Sequence, residues 1–189
     1  MLAFLFYLFL TVYRFYKRGD ILALFLPNII LNSVTEVTYE LIDKMNIKGL
    51  LVDADKTLAY YGKNEPLEGV AEWLALMKKK GIKMVIISNN YKKRIRPLAD
   101  NLGIKYFVAN AFKPTPLGII RALRKIKIKR KNVAVIGDQI YTDILGANIC
   151  GLKSIYVIPK NDKDVFHSKF VAFMEKIHIK RYYKKHGGK

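Results

Sequence analysis

Cysteine and histidine are scarce in this chain of 189 residues, which has one cysteine and three histidines. The single Cys150 excludes an internal disulfide bond, as is typical of a reducing compartment, so a cytoplasmic location is expected. Its surroundings, GANICGL, predict a small buried helix residue. The histidines lie much later, at His167, His178 and His186. Catalysis by a cysteine-histidine or serine-histidine pair is therefore disfavoured.

Acidic residues are also few: 15 Asp and Glu stand against 34 Lys and Arg, which gives a net charge of +19 at pH 7. This charge favours anionic partners such as phosphates, anionic lipid headgroups or RNA, although a solvated, lysine-rich surface explains it equally well. Apolar residues make up 51% of the chain, enough to build the core of one domain with a short extension.

The apolar run at the amino terminus is too short for a simple membrane span. Residues 1–13 carry no charge, but a helix of that length rises about 20 Å, against about 30 Å for a bilayer's hydrocarbon core. Basic residues follow this run instead of preceding it, which disfavours a secretory signal. We expect residues 1–20 to be either a membrane-surface helix, which would give membrane association, or the product of a start codon assigned too early.

Beyond residue 20, buried β-branched strands alternate with helices of 10 to 15 residues. This alternation predicts a doubly wound α/β domain over residues 21–160, with five parallel strands covered on both faces. The expected strands are residues 47–53, 82–88, 105–110, 132–138 and 153–159. In such sheets, ligands bind at the carboxyl ends of the strands.

Residues 161–189 form a basic segment that predicts a C-terminal helix. Four apolar residues share one face of it: Phe166, Phe170, Phe173 and Ile177. Docking of this face on the core is favoured over binding to a membrane.

Polar residues collect at the predicted carboxyl ends of the strands. One aspartate there is often only a turn or helix cap, and each short motif alone is weak. Several motifs in one crevice are improbable by chance, and crowded carboxylates near a lysine suit Mg²⁺ and a phosphate group. The residues are Asp53, Asp55, Thr57, Ser88, Lys113, Asp138 and Asp143.

The strings DADKT, ISNN, FKPTP and GDQIYTD resemble, in order, the four motifs of the haloacid dehalogenase (HAD) superfamily. Residues 21–159 are similar to the YqeG-type phosphatases of subfamily IIIA, a group that includes mitochondrial phosphatidylglycerophosphatases. The resemblance implies a HAD-like Rossmannoid fold. Two positions depart from the group, which usually has Asn in place of Lys56 and a larger apolar residue in place of Ala54.

Carried onto this chain, the resemblance implies that Asp53 is the nucleophile and accepts the phosphoryl group as an aspartyl phosphate. Asp55 would protonate the leaving oxygen and then activate water, as a second carboxylate within reach can do. Mg²⁺ would be bound by Asp53, the main-chain carbonyl of Asp55 and Asp138.

The remaining motif residues would act on the transferring phosphoryl group. Lys113 and Ser88, with Asn89 and Thr57, would hold its oxygens. Asp143 would orient Lys113 or a metal-bound water.

The segments between the motifs are already used by one helix and one strand each, which leaves no room for a cap domain. An open site suits a phosphate on something large, such as a lipid, a protein or a nucleic-acid end. With the resemblance to the group that includes phosphatidylglycerophosphatases, the positive charge and the apolar amino terminus, this makes phosphatidylglycerophosphate the sharpest candidate.

Two other functions are considered beside the phosphatase. A receiver-type phospho-acceptor also uses a parallel sheet, acidic residues, a hydroxyl and a lysine, but it keeps its acidic pair on the first strand and its acceptor on a later one. A catalytically idle module that binds RNA or a membrane is disfavoured, because nothing structural requires so many carboxylates in one crevice.

Overall fold

A computed structural model describes residues 21–159 and 169–187 of the chain, with side chains from residue 173 onward in the last stretch. The strands are β1 (Ile29–Leu31), β2 (Gly49–Val52), β3 (Lys83–Ile87), β4 (Tyr106–Val108), β5 (Val133–Gly137) and β6 (Lys153–Val157). The α-helices are α1 (Tyr39–Lys44), α2 (Val70–Lys79), α3 (Lys92–Asn101), α4 (Pro116–Ile126), α5 (Leu145–Ile149) and α6 (Lys169–His186). A turn of π-helix, Ile140–Ile144, joins β5 to α5.

All paired strands are parallel, in the order β1-β6-β5-β2-β3-β4. This confirms the predicted α/β class, and the five predicted strands correspond to β2 through β6. The sequence predicts one strand too few: it misses the three-residue strand β1, which precedes the first predicted strand. It lies at the edge of the sheet, where Ile30 pairs with Tyr156 of β6.

Apolar side chains of the central strand β2 alternate between the two faces of the sheet. Leu50 and Val52 lie in a buried cluster with residues of α2 and α3, whereas Leu51 joins a second cluster with residues of α4 and α5. All four residues of the strand are buried. The unbroken apolar run in the sequence therefore reflects a strand that helices cover on both sides.

The connections between the strands are short. One loop and α2 join β2 to β3, and α3 joins β3 to β4, so residues 53–105 contain no cap domain. Val70, Leu74 and Met77 of α2 are buried, as their spacing predicts. The chain reverses after this helix at Gly81, whose φ of 77° is a left-handed conformation that favours glycine.

Helix α6 docks on the sheet through a different face from the predicted one. Glu175 and His178 are buried, whereas Phe173 and Ile177 are 61% and 43% exposed. The prediction is wrong about the face at these two positions, because the buried side of the helix meets the main-chain N–H of Ile140 and the rings of Tyr141 and Phe25. A carboxylate and an imidazole ring match these groups better than phenyl rings do.

Residues 1–20 and Phe166 lie outside the described residues, as does the side chain of Phe170, so the amino-terminal segment stays a prediction. Within residues 21–159 and 169–187, none of the helices combines the length and the apolar composition that a bilayer crossing requires.

Candidate active site

Asp53 follows directly on β2, at the centre of the sheet. Its main-chain N–H donates to the Ile136 carbonyl oxygen of β5 at 2.9 Å, so pairing continues past the end of the strand and fixes the backbone. The residue is 7% exposed, and its carboxylate accepts a hydrogen bond from the Lys113 ammonium group. The carboxyl edge of a parallel sheet is where this class of fold binds its ligands.

Lys113 lies on the loop after β4 and reaches back across the sheet edge. Its Nζ donates to the carboxylates of Asp53 and Asp143, the latter at 2.6 Å, and to the Ile87 carbonyl oxygen at 3.1 Å. These acceptors use all three N–H groups of the ammonium. Burial favours a lower pKa for Lys113, but the charges of Asp143 and Asp53 outweigh it and hold the pKa above its ordinary value. Lys113 is therefore a fixed, buried cation.

The Asn89 side chain holds the backbone that carries Lys113. Asn89 Oδ1 accepts the Lys113 N–H at 2.7 Å, and Asn89 Nδ2 donates to the Lys113 carbonyl oxygen at 3.2 Å. Both ends of the amide are thus engaged in positioning Lys113. Direct contact of Asn89 with a phosphate group, which the family resemblance implies, stays a prediction.

Ser88 lies at the end of β3 and is 3% exposed. Its Oγ accepts the main-chain N–H of Asn90 at 3.1 Å. The hydroxyl keeps its own proton for donation to an acceptor such as a phosphoryl oxygen.

Asp143 approaches the sheet so closely that only glycine fits at position 137. A Cβ atom on Gly137 would lie 2.3 Å from Asp143 Cγ, well inside the ordinary separation of carbon atoms. Asp143 is 1% exposed and its Oδ1 accepts from Lys113. Of the two roles expected for Asp143, this geometry favours orienting Lys113.

Asp138 comes directly after β5 and is 2% exposed. Its Oδ1 is buried without a hydrogen-bond partner among the described residues. Burial, together with the charges of Asp53 and Asp143, raises the pKa of Asp138 well above its usual range. The ionised form of such a carboxylate requires a nearby cation.

The carboxylate oxygens of Asp53 and Asp138 are of the donor type that a hard divalent cation prefers. Burial raises the pKa of Asp53 to about 7, against the opposing charge of Lys113 and with the help of Asp143. No group of three or more His, Cys, Asp or Glu side chains within the described ranges is arranged to hold a metal ion. The donor set that the family resemblance implies, the carboxylates of Asp53 and Asp138 and the main-chain carbonyl of Asp55, stays a prediction. Such a sparse set of oxygens suits Mg²⁺, which usually keeps several waters.

Asp55 is the second carboxylate of the DADKT segment, and both of its oxygens are already held. Oδ1 accepts from Arg94 at 2.7 Å and from the Gly62 N–H at 3.0 Å, while Oδ2 accepts from the Asn90 side chain at 2.8 Å. Arg94 and Asn90 are not among the site residues expected from the sequence. Their only signal is the polar, basic run NNYKKR directly after a predicted strand.

The turn after Asp53 is closed by hydrogen bonds from the Leu58 and Ala59 N–H groups to the Ala54 carbonyl oxygen, both at 3.0 Å. Lys56 adopts a left-handed conformation with φ 63°. Asparagine enters this region more readily than lysine, so the departure at Lys56 has a conformational cost. Thr57 is fully buried, and its Oγ1 has no hydrogen-bond partner among the described residues. Its contact with phosphate stays a prediction.

Exposed aromatic side chains lie on the loops that carry the site. Tyr61, Tyr91 and Phe112 follow β2, β3 and β4 and are 48%, 73% and 64% exposed.

Cys150, by contrast, is fully buried, and burial raises the pKa of its thiol to about 12. A thiol in this state is protonated at neutral pH, so Cys150 is a core residue and not a nucleophile.

The chain is similar to known proteins over most of its length. The model of the haloacid dehalogenase-like hydrolases matches residues 21–151. A relative from Bacillus subtilis (strain 168), described as probable phosphatase YqeG, is 35% identical over 152 residues, which cover 80% of this chain and 88% of the relative.

Solved structures share the fold. An uncharacterized protein from Listeria monocytogenes serotype 4b has a TM-score of 0.52 at 18% identity, covering 70% of this chain and 97% of that one. A haloacid dehalogenase-like hydrolase from Brucella suis 1330 has a TM-score of 0.53 at 10% identity, covering 62% and 86%. The resemblance noted in the four motifs is confirmed, and this chain belongs to the haloacid dehalogenase-like hydrolase family.

Proposed function

We propose that this chain is a Mg²⁺-dependent phosphatase that hydrolyses a phosphate monoester through an aspartyl-phosphate intermediate on Asp53. The supporting observation is the arrangement of Asp53, Lys113 and Asp138 at one sheet edge. It combines a nucleophilic carboxylate, a fixed cation and a buried carboxylate oxygen without a partner. The Bacillus subtilis relative, described as a probable phosphatase, supports the same reaction class.

In the first step, a carboxylate oxygen of Asp53 attacks phosphorus, and the bond from phosphorus to the leaving oxygen breaks. Asp55 gives its proton to that oxygen, so an alcohol departs and Asp55 becomes a carboxylate. Lys113 balances charge on the phosphoryl group, and the hydroxyls of Ser88 and Thr57 donate hydrogen bonds to it.

In the second step, Asp55 takes a proton from water as the water oxygen bonds to phosphorus. The bond between phosphorus and Asp53 breaks, which releases inorganic phosphate and restores both carboxyl groups. Arg94 and Asn90 hold Asp55 during both proton transfers, because each donates a hydrogen bond to one of its two oxygens.

Asp53, Asp138 and the main-chain carbonyl of Asp55 would hold Mg²⁺. When bound, the ion offsets the carboxylate charge that otherwise repels a dianionic phosphate. Asp143 would contribute indirectly, since its carboxylate is engaged with Lys113.

The substrate is proposed to be a large phosphate monoester, and a lipid phosphate at an anionic membrane is favoured. The absence of a cap between residues 53 and 105, the exposed aromatic residues around the site and the net charge of +19 support this choice. Phosphatidylglycerophosphate is the specific candidate, drawn from the family resemblance.

A panel of lipid, nucleotide, sugar and protein phosphates tests the substrate class. We expect the highest kcat/KM on phosphatidylglycerophosphate in vesicles, and activity that excess EDTA abolishes. Full activity in EDTA would overturn the metal assignment, and preference for a protein or nucleic-acid phosphate would overturn the lipid assignment.

Two variants test the chemistry. Asp53→Asn should abolish turnover and prevent labelling by substrate phosphate. Asp55→Asn should still form the aspartyl phosphate from an ester with a good leaving group, because only Asp53 bonds to phosphorus. Labelling of the Asp53→Asn protein at the same position would show that the nucleophile is another residue.

Membrane association is tested separately by co-sedimentation with liposomes. Full-length protein should sediment with anionic vesicles at low salt, and a version that starts at Asp20 should do so less, because the apolar segment contributes with its buried area. Full-length protein that stays in the supernatant would contradict the proposal.

A further inference from the structure

A carboxylate from the C-terminal helix reaches the loop that carries two of the acidic site residues. Glu175 Oε1 of α6 accepts the main-chain N–H of Ile140 at 2.9 Å, although 35 residues separate them. Glu175 is 6% exposed. A glutamate is rarely buried to this extent without a hydrogen-bonded partner.

The Ile140 N–H begins the helical turn between Asp138 and Asp143. The N–H groups at the start of a helix have no acceptor within the helix itself. The side chain of the preceding Gln139 does not cap the main-chain N–H groups of this turn; its Oε1 accepts instead from the Thr142 hydroxyl at 3.2 Å. Glu175 therefore supplies from a distant helix the acceptor that a local cap residue would otherwise provide, and its negative charge suits this end of the turn.

Further contacts of α6 lie on the same face. His178 Nε2 is 3.2 Å from the Tyr141 hydroxyl oxygen, and its ring stacks on Phe25 with centroids 5.0 Å apart. Ile179 packs against the buried cluster that contains Ile140. Glu175 and His178, which lie one turn apart on α6, thus contact the successive residues Ile140 and Tyr141. Both of these belong to the acidic loop, the segment from Asp138 to Asp143.

We propose that Glu175 is a positioning residue for hydrolysis: its hydrogen bond to Ile140 fixes the turn that places Asp138 at the metal site and Asp143 against Lys113. Helix α6 lies beyond residues 21–151, which the family model matches. The proposal therefore makes a segment outside the matched domain part of the active-site framework. It rests on the proposed function for its kinetic and Mg²⁺-binding readouts, whereas its hydrogen-exchange readout is independent of that function.

The test compares Glu175→Ala with Glu175→Gln in the full-length protein. Glutamine keeps the oxygen that accepts the Ile140 N–H, so it should behave nearly as the wild type. Alanine removes the acceptor. Loss of a group that orients metal ligands typically weakens metal binding or activity roughly tenfold to a hundredfold, and we expect about a tenfold rise in the Mg²⁺ concentration at half-saturation. Lys176→Ala, at the exposed neighbouring position, is the matched control.

Two readouts do not depend on turnover. Calorimetric titration with Mg²⁺ should show the weaker binding directly, and amide hydrogen exchange should be faster across residues 138–144 in Glu175→Ala than in Glu175→Gln or the control. A role limited to docking the helix predicts a lower melting temperature with unchanged Mg²⁺ binding and unchanged exchange in that loop. That outcome would overturn the proposal.

A hydrolysis assay on wild-type protein separates failure of the proposed phosphatase function from failure of the proposed role of Glu175. If wild-type protein hydrolyses no phosphate ester, the proposed function fails, while the exchange comparison still decides the role of Glu175. If Glu175→Ala does not fold, Glu175→Asp, which is shorter by one methylene, replaces it in the comparison with Glu175→Gln. Equal exchange and equal Mg²⁺ binding in those two variants would count against the proposal.

Discussion

Lys113 bridges Asp53 and Asp143: its Nζ lies 2.6 Å from Asp143 Oδ1 and also donates to the Asp53 carboxylate. Asp53 directly follows β2, Asp143 lies in the helical turn after the neighbouring strand β5, and the lysine comes from the loop beyond β4. One buried ammonium group therefore joins three segments of the chain. The ammonium group that balances the charge of Asp53 is held in place by the carboxylate of Asp143.

Replacing Lys113 by Met should lower the free energy of unfolding by about 3 kcal/mol, because removing one partner of a buried ionic cluster leaves carboxylates without a counterion. Urea denaturation in EDTA measures the change. Lys125→Met, at an exposed position of α4, should stay within about 0.5 kcal/mol of the wild type. A similar effect of both substitutions would contradict the importance of the bridge.

The metal-free protein should lose stability as the pH rises from about 4 to about 7. The pKa of Asp53 is raised to about 7 in the folded state by burial, against the opposing charge of Lys113, while the unfolded value is about 4. Between these values the folded state binds the extra proton, so its stabilising contribution is complete at low pH and is lost as the pH passes the folded pKa. Burial shifts Asp138 in the same direction.

Urea midpoints at pH 5 and pH 8 in EDTA check this prediction. The midpoint should be lower at pH 8, and Asp53→Asn should show a smaller difference between the two pH values because one of the shifted groups is gone. A midpoint that rises from pH 5 to pH 8 to the same extent in both proteins would contradict the assignment.

Arg94→Ala should weaken the first chemical step, because Asp55 loses the guanidinium that holds its Oδ1 at 2.7 Å. We expect kcat/KM to fall about tenfold for an alkyl phosphate, whose leaving oxygen needs a proton, and less for 4-nitrophenyl phosphate, whose leaving group departs readily. Arg96→Ala, at an exposed position of the same helix, is the control. Equal losses on both substrates would mean that Arg94 acts on binding instead of on proton transfer.

Lys56→Asn should stabilise the protein by about 0.5 to 1 kcal/mol, because asparagine tolerates the left-handed backbone better than lysine. Lys56 has φ 63° in the turn directly after Asp55. Thermal and urea unfolding measure the gain. Lys125→Asn, inside the ordinary helix α4, should instead lose a few tenths of a kcal/mol. A loss of stability in Lys56→Asn would show that contacts of the lysine side chain outweigh the backbone term.

Local patterns in the sequence were sufficient to predict five of the six strands and the residues at their carboxyl ends. The run GLLV predicts a buried strand, and helices do cover both faces of β2. Asp53 and Asp138 each come directly after an apolar run in the sequence, so the sequence also predicts that they lie at strand ends. The prediction misses β1, whose three residues are placed by pairing with β6 and not by their own pattern.

The sequence by itself therefore determined the class of fold, the order of the motifs and the residue types at the site, because strand periodicity and strand ends are local properties. Only the tertiary structure decided how those residues are used. Asp55 is held by Arg94 and Asn90, and the acidic loop is capped by Glu175 from the last helix. These contacts join residues far apart in the chain, and hydrogen bonds of that kind depend on how the helices pack on the sheet, which no local spacing encodes.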